Sequence, residues 1–546
     1  MKPLGASSAL APHAAVVETL PEAAPARNRV RFLALGLFAL LILLAGRTVQ
    51  LAFAGDPLAE PRRAAVAAIP RADIVDRNGV LLATTVRAYA LTAAPARVWN
   101  AEETARVLGG LFPDLDRAAT VRRLSDTSRQ LVFLRRGLSE EERARVHGLG
   151  LAGIGFEAED RRVYPQGAMA GHVLGFTDVD LNPLAGVERG LDEQIRAAGA
   201  AGRPVRLSLD VRIQYALEAE LDLAARTAGA AGGAGVLLNA RNGEALALAS
   251  WPRMDPNTPG ETSARARIDR VAGDVHELGS TIKPFTVAMA LQERLTSSTE
   301  LFDLAQPFEI GGHTIEDHER MRGPASLRDI LGRSSNIGAA RLALRLGGAR
   351  QRAYLERLGL TEPARLELGF NEAPLAPHAR GRRDVAGLGF GYGLAATPAA
   401  LAGAYTVFAN HGAIVAPTVV ARAPDAEVDR RAVFSPEVTR QILLYLRAAV
   451  VDGTGRAADV PGLAIAGKTG TAEKFVVQSG YDESRNFSSF AGVFPANDPR
   501  YVIVVALDDT GEGAAGGAVA APVVARTLRR IAPMLGLRVE PAAAPR

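Results

Sequence analysis

Cysteine is absent from all 546 residues. This excludes disulfides, cysteine nucleophiles and thiolate metal sites, and lets the chain fold in an oxidising compartment without forming wrong bonds. Histidine is scarce. His172, His276, His313, His318, His378 and His411 are scattered, with no His-x-x-x-His pair, and His313 and His318 read as surface residues in a loop. No metal site and no cofactor are therefore expected. Aromatic residues make up 5% of the chain, and the dispersed, mostly arginine cations (net charge +4) form no block interleaved with them. A nucleic-acid module is excluded on that basis. What is present is globular: 48% hydrophobic and 22% charged residues, in a chain long enough for roughly two to four domains.

Long apolar runs are also lacking, with one exception. Arg27, Arg29 and Arg31 precede Phe32–Gly46, which carries no charge. At 1.5 Å per residue this run falls short of a ~30 Å hydrocarbon core, and Thr48–Ala54 completes it if Arg47 snorkels or meets a partner helix. Residues 32–54 are read as an uncleaved anchor. The rival is a cleaved signal peptide, for which Ala52-Phe53-Ala54 resembles the processing site. The flanking positive charge places residues 1–31 in the cytoplasm, as a tail disordered over 1–26, and everything after about Gly55 outside.

Beyond an Ala/Pro/Arg linker, Asn78-Gly79 predicts a hairpin between Asp73–Asp76 and Val80–Ala83. Residues 100–150 read as helices, one starting at Ser139 ahead of three glutamates. Arg162–Gly167 and Gly186–Gly190 read as ordered loops. A helix runs from Ile213 to about Thr227, and Asn242-Gly243 joins two further strands, Gly235–Leu238 and Glu244–Ser250. Met254–Val275 reads as a long loop. Helices are predicted over 285–295, 326–332, 337–358 and 396–410. The Gly389–Gly393 run is expected to pass close to another part of the chain. Leu463–Ile465 reads as a strand, 475–486 as a polar loop, and Ser488–Phe494 and Tyr501–Leu507 as strands, the last largely buried. Thr510–Val519 reads as a glycine turn, Ala520–Leu535 as a terminal helix and 536–546 as a loose tail. Helices packed on an antiparallel sheet follow from this order.

Three short motifs carry chemistry. In Leu278–Phe285, Ser280 and Lys283 lie three apart at the start of an apolar helix, so an amine and a hydroxyl share one face. Ser334-Ser335-Asn336 sits between two predicted helices. Lys468-Thr469-Gly470-Thr471 lies where a predicted strand meets glycine, which would let a substrate backbone approach an edge strand. Each is weak alone, and an isolated Ser-x-x-Lys is usually a helix cap and a surface lysine. Together, in this order and at these junctions, they are strong evidence.

The trio resembles that of class A β-lactamases and penicillin-binding proteins. From Arg71 to about Pro522 the chain is similar to a class B penicillin-binding protein, a monofunctional peptidoglycan transpeptidase. Arg71–Gly79, Arg162–Gly167, Gly186–Glu188, Leu207–Gln214, Asp255-Pro256-Asn257 and Gly516–Pro522 all contribute. Gly389–Gly393 with Thr397-Pro398 looks most like the division-specific, septal member. Ala72 and Leu278 depart from the family pattern without touching a catalytic role.

The resemblance implies an α+β transpeptidase domain at 206–535, an antiparallel sheet flanked by helices with an all-helical subdomain. It also implies an elongated, non-catalytic pedestal or dimerisation-type domain at 55–205. Ser280 is implied as nucleophile, Lys283 as general base, and Ser334 and Asn336 as proton relay and amide holder. Lys468 would keep the site positive, Thr469, Gly470 and Thr471 would bind substrate, and the backbone N–H groups of Ser280 and Thr471 would form the oxyanion hole. Implied substrates are stem peptides on lipid-linked precursor strands. Implied partners are a polytopic glycosyltransferase of the division machinery and small bitopic division proteins. A secreted β-lactamase, a β-lactam sensor, an elongation-type enzyme and an inactive division scaffold are the alternatives.

Overall fold

The computed structural model describes residues 24–53, 71–375, 381–476, 480–511 and 515–539. The expectations for the first 23 residues, for most of the linker, for His378, for 477–479 and 512–514 and for the last seven residues lie outside this range. The chain divides into two units, 1–68 and 69–546. In the first, α1 (Ala24–Phe53) contains Val30–Thr48, 19 residues of mean hydropathy 2.0. Among the described residues it is the one helix long and apolar enough to cross a membrane. It starts ahead of the predicted span and takes in residues 24–26, which had read as part of the tail. Arg47 donates to Gln50 Oε1 at 2.8 Å, one helical turn further on.

The second unit begins with the predicted hairpin, β1 (Ile74–Val75) and β2 (Leu81–Ala93). Strand β2 is far longer than read, because it is paired on both sides. The helices α2 (Ala101–Leu111), α3 (Arg117–Ser125) and α4 (Glu140–Gly148) follow, the last with the Ser139/Glu142 capping box. Between α3 and α4, β3 (Val132–Leu138) lies on one side of β2, and β4 (Ile154–Val163) lies on the other. Neither strand was legible. Both have one solvated face, so their polar residues hide the alternation, and pairing with β2 is what makes them strands. Leu91, Leu108, Leu124, Leu134 and Leu138 form a separate small core here.

Arg162 near the end of β4 and Gly186–Gly190, a short helix where a loop was expected, close a buried ion cluster. Glu188, fully buried, accepts from Arg71 Nε at 3.0 Å and from Arg162 Nε at 2.6 Å, and Arg71 also pairs with Asp192. Glu188→Ala would strand two guanidinium groups away from water. It is expected to cost about 3–5 kcal/mol, measurable as a lowered denaturant midpoint with unchanged slope.

Strand β5 (Val205–Arg206) pairs parallel to β1 and leads into α5 (Val211–Thr227). The main sheet is antiparallel, in the order β8-β9-β10-β6-β7. Its strands are β6 (Gly232–Asn239), β7 (Ala245–Trp251), β8 (Ala466–Val476), β9 (Gly480–Phe494) and β10 (Tyr501–Asp508). The predicted 475–486 loop is mostly strand: β8 and β9 stay paired across a bulge at Glu473/Lys474, and polar residues satisfy a backbone ladder as well as apolar ones do. Likewise Leu463–Ile465 precedes the strand, which starts at Ala466.

Between β7 and β8 come α6 (Lys283–Gln292), α7 (Leu327–Gly332), α8 (Asn336–Leu346), α9 (Gly348–Arg357), α10 (Pro398–Ala409) and α11 (Pro436–Val451). The last helix, α12 (Gly516–Ile531), follows β10. The predicted helix 337–358 is two helices, interrupted at Gly347. Helix α12 starts inside the predicted glycine turn, and Leu537 and Val539 of the predicted tail pack on the core.

Helices cover both faces of the sheet. Leu237, Ile503 and Val505 meet Leu217 and Val524 of α5 and α12, while Val236, Val502 and Val504 share a core with Leu401 and Phe408 of α10. That two-sided burial is why β10 is continuously apolar. On the α10 side, Phe285 of α6 packs edge-on to Tyr405 at 5.2 Å and against Phe408 at 5.0 Å. The Tyr405 hydroxyl donates to Thr281 O at 2.8 Å. The start of α6 is thereby anchored beside the edge strand β8.

Candidate active site

Ser280 lies in a 3₁₀ turn, Gly279–Ile282, and Lys283 opens α6 directly after it. A 3₁₀ turn eclipses positions i and i+3, so the two side chains align more closely than an α-helix would set them. Pro284 is accommodated because its missing N–H falls in the first helical turn.

The turn is held from two sides by backbone. At Gly391 (φ +96°) a Cβ would sit 2.1 Å from Gly279 O and 2.5 Å from Gly279 N, so the glycine run does pass close to the chain, against the serine turn itself. Opposite, a Cβ on Gly470 would meet Ser489 Oγ at 2.4 Å and Thr281 Cγ2 at 2.9 Å. A glycine at 470 thus lets the protein's own serine turn approach β8 closely. Gly391→Ala is expected to displace Ser280 and to slow acylation by about 10²-fold, the usual cost of a misplacement near 1 Å. An unchanged acylation rate in the purified variant would contradict this packing.

The second motif joins α7 to α8, as predicted. Ser334 adopts φ +62°, a left-handed backbone that a non-glycine residue holds at a cost of order 1–3 kcal/mol. This conformation accompanies a three-way contact. Ser334 Oγ and Ser280 Oγ are 2.8 Å apart. Lys283 Nζ lies 3.1 Å from Ser334 Oγ, 2.6 Å from Ser334 O and 2.7 Å from Asn336 Oδ1. Lysine reaches the serine through Ser334.

Residues that sequence reasoning missed hold this motif in place. Asp317 accepts from Ser335 Oγ at 2.6 Å and from Ile337 N at 2.9 Å, and Asn336 Nδ2 donates to Glu316 O at 3.0 Å. Asp317 lies just past a short hairpin, Phe308–Ile310 with His313–Ile315, and nothing local in that loop marks it.

The third motif lies on β8, at the edge of the sheet. Lys468 is fully buried and donates to Thr469 O at 3.0 Å. Thr469 Oγ1 is 2.8 Å from Thr454 Oγ1, a second residue that the sequence did not single out, and Thr471 Oγ1 accepts from Gly516 N at 3.0 Å. These contacts fix both threonine hydroxyls, Thr469 buried and Thr471 exposed.

Electrostatics set the lysines apart from surface amines. Burial lowers Lys283 well below the usual lysine range, the Lys468 charge lowers it further, and Asp317 partly opposes them. Burial alone brings Lys468 down to about 7. In its neutral form, which burial favours, Lys283 can act as a base. Its two N–H groups match two carbonyl acceptors, Ser334 O and Asn336 Oδ1, and its lone pair is left for the Ser334 hydroxyl. An amine so placed can take a proton from Ser280 across Ser334.

The chain is similar to proteins of known family. Residues 233–529 match the penicillin binding protein transpeptidase domain, and 67–197 match the penicillin-binding protein dimerisation domain. The chain is 40% identical over 483 residues to a probable peptidoglycan D,D-transpeptidase FtsI of Caulobacter vibrioides, covering 86% of this chain and 82% of that one. It is 32% identical over 485 residues to the peptidoglycan D,D-transpeptidase FtsI of Escherichia coli, with 83% and 82% covered. The crystal structure of penicillin binding protein 3 of Mycobacterium tuberculosis with aztreonam superposes with TM-score 0.67 at 26% identity, covering 86% of this chain and 97% of that one. With both domain families matched along one chain and a relative 40% identical over most of its length, the chain belongs to the class B penicillin-binding proteins.

Proposed function

We propose that this chain is the septal peptidoglycan D,D-transpeptidase of its cell, working through an acyl-enzyme on Ser280. Ser280 Oγ attacks the penultimate D-Ala carbonyl of a stem peptide. Its proton passes to Ser334, and the Ser334 proton passes to neutral Lys283. The N–H groups of Ser280 and Thr471 hold the oxyanion, while Lys468, Thr469 and Thr471 hold the terminal carboxylate. Collapse breaks the C–N bond, the departing D-Ala takes the proton back along the relay, and an ester on Ser280 remains. The amine of a neighbouring stem then forms the new amide, and Ser280 recovers its proton. A β-lactam follows the first half, but its leaving amine stays tethered, so the ester persists.

The observation that supports this reading most is the unbroken Ser280–Ser334–Lys283 chain ending at an amine that burial pushes well below the usual lysine range. Fluorescent penicillin tests it: folded full-length protein should take one stable label. Absence of label would favour an inactive scaffold, and rapid release of label would favour a β-lactamase.

The proton relay predicts a pH profile with a definite sign. Protonated Lys283 is inactive, so acylation should rise with pH and level off below the ordinary lysine range. Lys468 disfavours the protonated form of Lys283, so Lys468→Met should raise its pKa and move that rising limb to higher pH. Second-order penicillin acylation rates across pH 5–10 measure it, and an unmoved limb excludes the coupling.

The substrate is peptidoglycan stem peptide on lipid-linked strands. Residues 206–535 serve as the transpeptidase domain and 55–205 as its pedestal. Helix α1 anchors the chain once in the cytoplasmic membrane, N-terminus inside, at the division site. The partners are a polytopic glycosyltransferase and small bitopic division proteins, with Arg47 supplying a polar contact between helices. Selective inhibition in the native cell should give filaments, and rounded cells with normal septa would indicate the elongation role.

A further inference from the structure

The small sheet of β2, β3 and β4 ends in a tip of three loops. Ala93, the last residue of β2, is paired with Val132 at the start of β3 and with Ile154 at the start of β4. Segments 94–100, 126–131 and 149–153 therefore emerge at one end of the sheet. They also touch. Ala94 N donates to Gly153 O at 2.8 Å, and a Cβ on Gly153 would lie 2.8 Å from both Arg97 C and Val98 N.

The side chains at this tip are unusual for a loop facing water. Trp99 is 95% exposed, the highest value for any large hydrophobic side chain among the described residues, and Leu131 and Leu149 are exposed at the same end. The indole does no capping work, because the Asn100 side chain accepts from Glu103 N to start α2. The cations beside it are uncompensated. Arg97, Arg122 and Arg123 are exposed and pair with no carboxylate among the described residues, whereas Glu102 meets Arg117, Glu103 meets Arg106 and Asp126 meets Arg129.

An indole flanked by leucines and free guanidinium groups suits a membrane–water boundary, where the ring sits among headgroups and the cations meet phosphate. A bilayer is also at hand, since α1 is long and apolar enough to cross one. The seventeen residues between Phe53 and Arg71 span at most ~60 Å. The thirteen residues of β2, which run from β1 to the tip, cover about 40 Å. The tether therefore leaves the tip within reach of the surface. Tethering raises the effective concentration to roughly the millimolar range, so a contact too weak to hold a free protein at a membrane is still populated.

We propose that Trp99, Leu131 and Leu149, with Arg97, Arg122 and Arg123 around them, form a second membrane contact of this chain, docking the tip on the anionic phospholipid surface of the bilayer that holds α1. The inference rests on α1 as an anchor and is independent of the transpeptidase chemistry.

The test uses the full chain in vesicles of phosphatidylcholine and phosphatidylglycerol, diluted so that most vesicles hold one copy. The chain has two tryptophans, so Trp251→Phe leaves Trp99 as the sole emitter. The difference between wild type and Trp99→Phe isolates the same signal should Trp251→Phe fold poorly. Trp99 emission should move to shorter wavelength, resist acrylamide in the water and be quenched by lipids brominated near the headgroup end of the acyl chain. Arg97→Gln and Arg122→Gln should each lower the ratio of docked to free tip roughly fivefold, the scale of one cation at an anionic surface. Emission typical of water, open to acrylamide and insensitive to bromine, overturns the proposal. Shielding without bromine quenching would mean that a protein surface covers Trp99, and overturns it equally. Equal quenching in vesicles of phosphatidylcholine alone overturns the assignment to anionic lipid. A chain that stays out of the vesicles overturns α1 as an anchor and this inference with it, while benzylpenicillin labelling of the same samples reads the transpeptidase chemistry separately.

Discussion

Ser280→Ala is expected to lose penicillin labelling completely and to lower cross-linking turnover by on the order of 10⁶-fold, as loss of the nucleophile does in other serine enzymes. Nothing nearby replaces it. Ser334 Oγ is 2.8 Å away, but its backbone is held at φ +62° and its hydroxyl is the bridge to Lys283. A hydroxyl that relays a proton is not also aimed at the carbonyl. The variant should fold normally, because one half-buried oxygen is removed from a turn fastened by Tyr405, Gly391 and Gly470. Covalent label at wild-type stoichiometry in Ser280→Ala, seen by mass spectrometry of the intact protein, would place the nucleophile elsewhere.

The second large effect belongs to Lys283. Lys283→Met should lower the acylation rate by about 10²–10⁴-fold, the range for removing a general base, while leaving the melting temperature nearly unchanged. Two terms offset one another in stability. Ser334 O and Asn336 Oδ1 lose a donor, at about 1–3 kcal/mol each. Against that, an amine fully buried next to Lys468 is replaced by an apolar chain of similar length, which relieves its desolvation. A variant that lost activity and unfolded in parallel would mean that the lysine is structural. One that acylated at the wild-type rate would mean that the proton leaves Ser280 by another route.

Local elements were read best where the residue pattern is itself the cause. Asn78-Gly79 and Asn242-Gly243 made hairpins, Ser139 with Glu142 capped α4, and the Ser334 segment joined two helices. Strands β3 and β4 and the outer half of the β8–β9 hairpin failed, because their partners create them and their own composition does not. One signal in the site went unused. The chain has four lysines, at 2, 283, 468 and 474, and writes nearly every other cation as arginine. A composition that avoids lysine yet keeps it at 283 and 468 points to chemistry that needs a pKa able to fall, which guanidinium lacks.

The residues alone determined that a hydroxyl and an amine share one turn, since three positions of helical chain settle that whatever surrounds them. They also determined, through three motifs in order, which family the chain resembles. Tertiary structure decided everything that depends on distant neighbours. The path from Ser280 to Lys283 runs through Ser334, more than fifty residues away, held by a loop carboxylate at Asp317. Lys283 is held well below the usual lysine range by what is packed around it, and its strongest electrostatic neighbour lies on a strand that forms only when β8 meets β9. Desolvation and charge coupling are properties of a place, and a place exists only once the chain has folded.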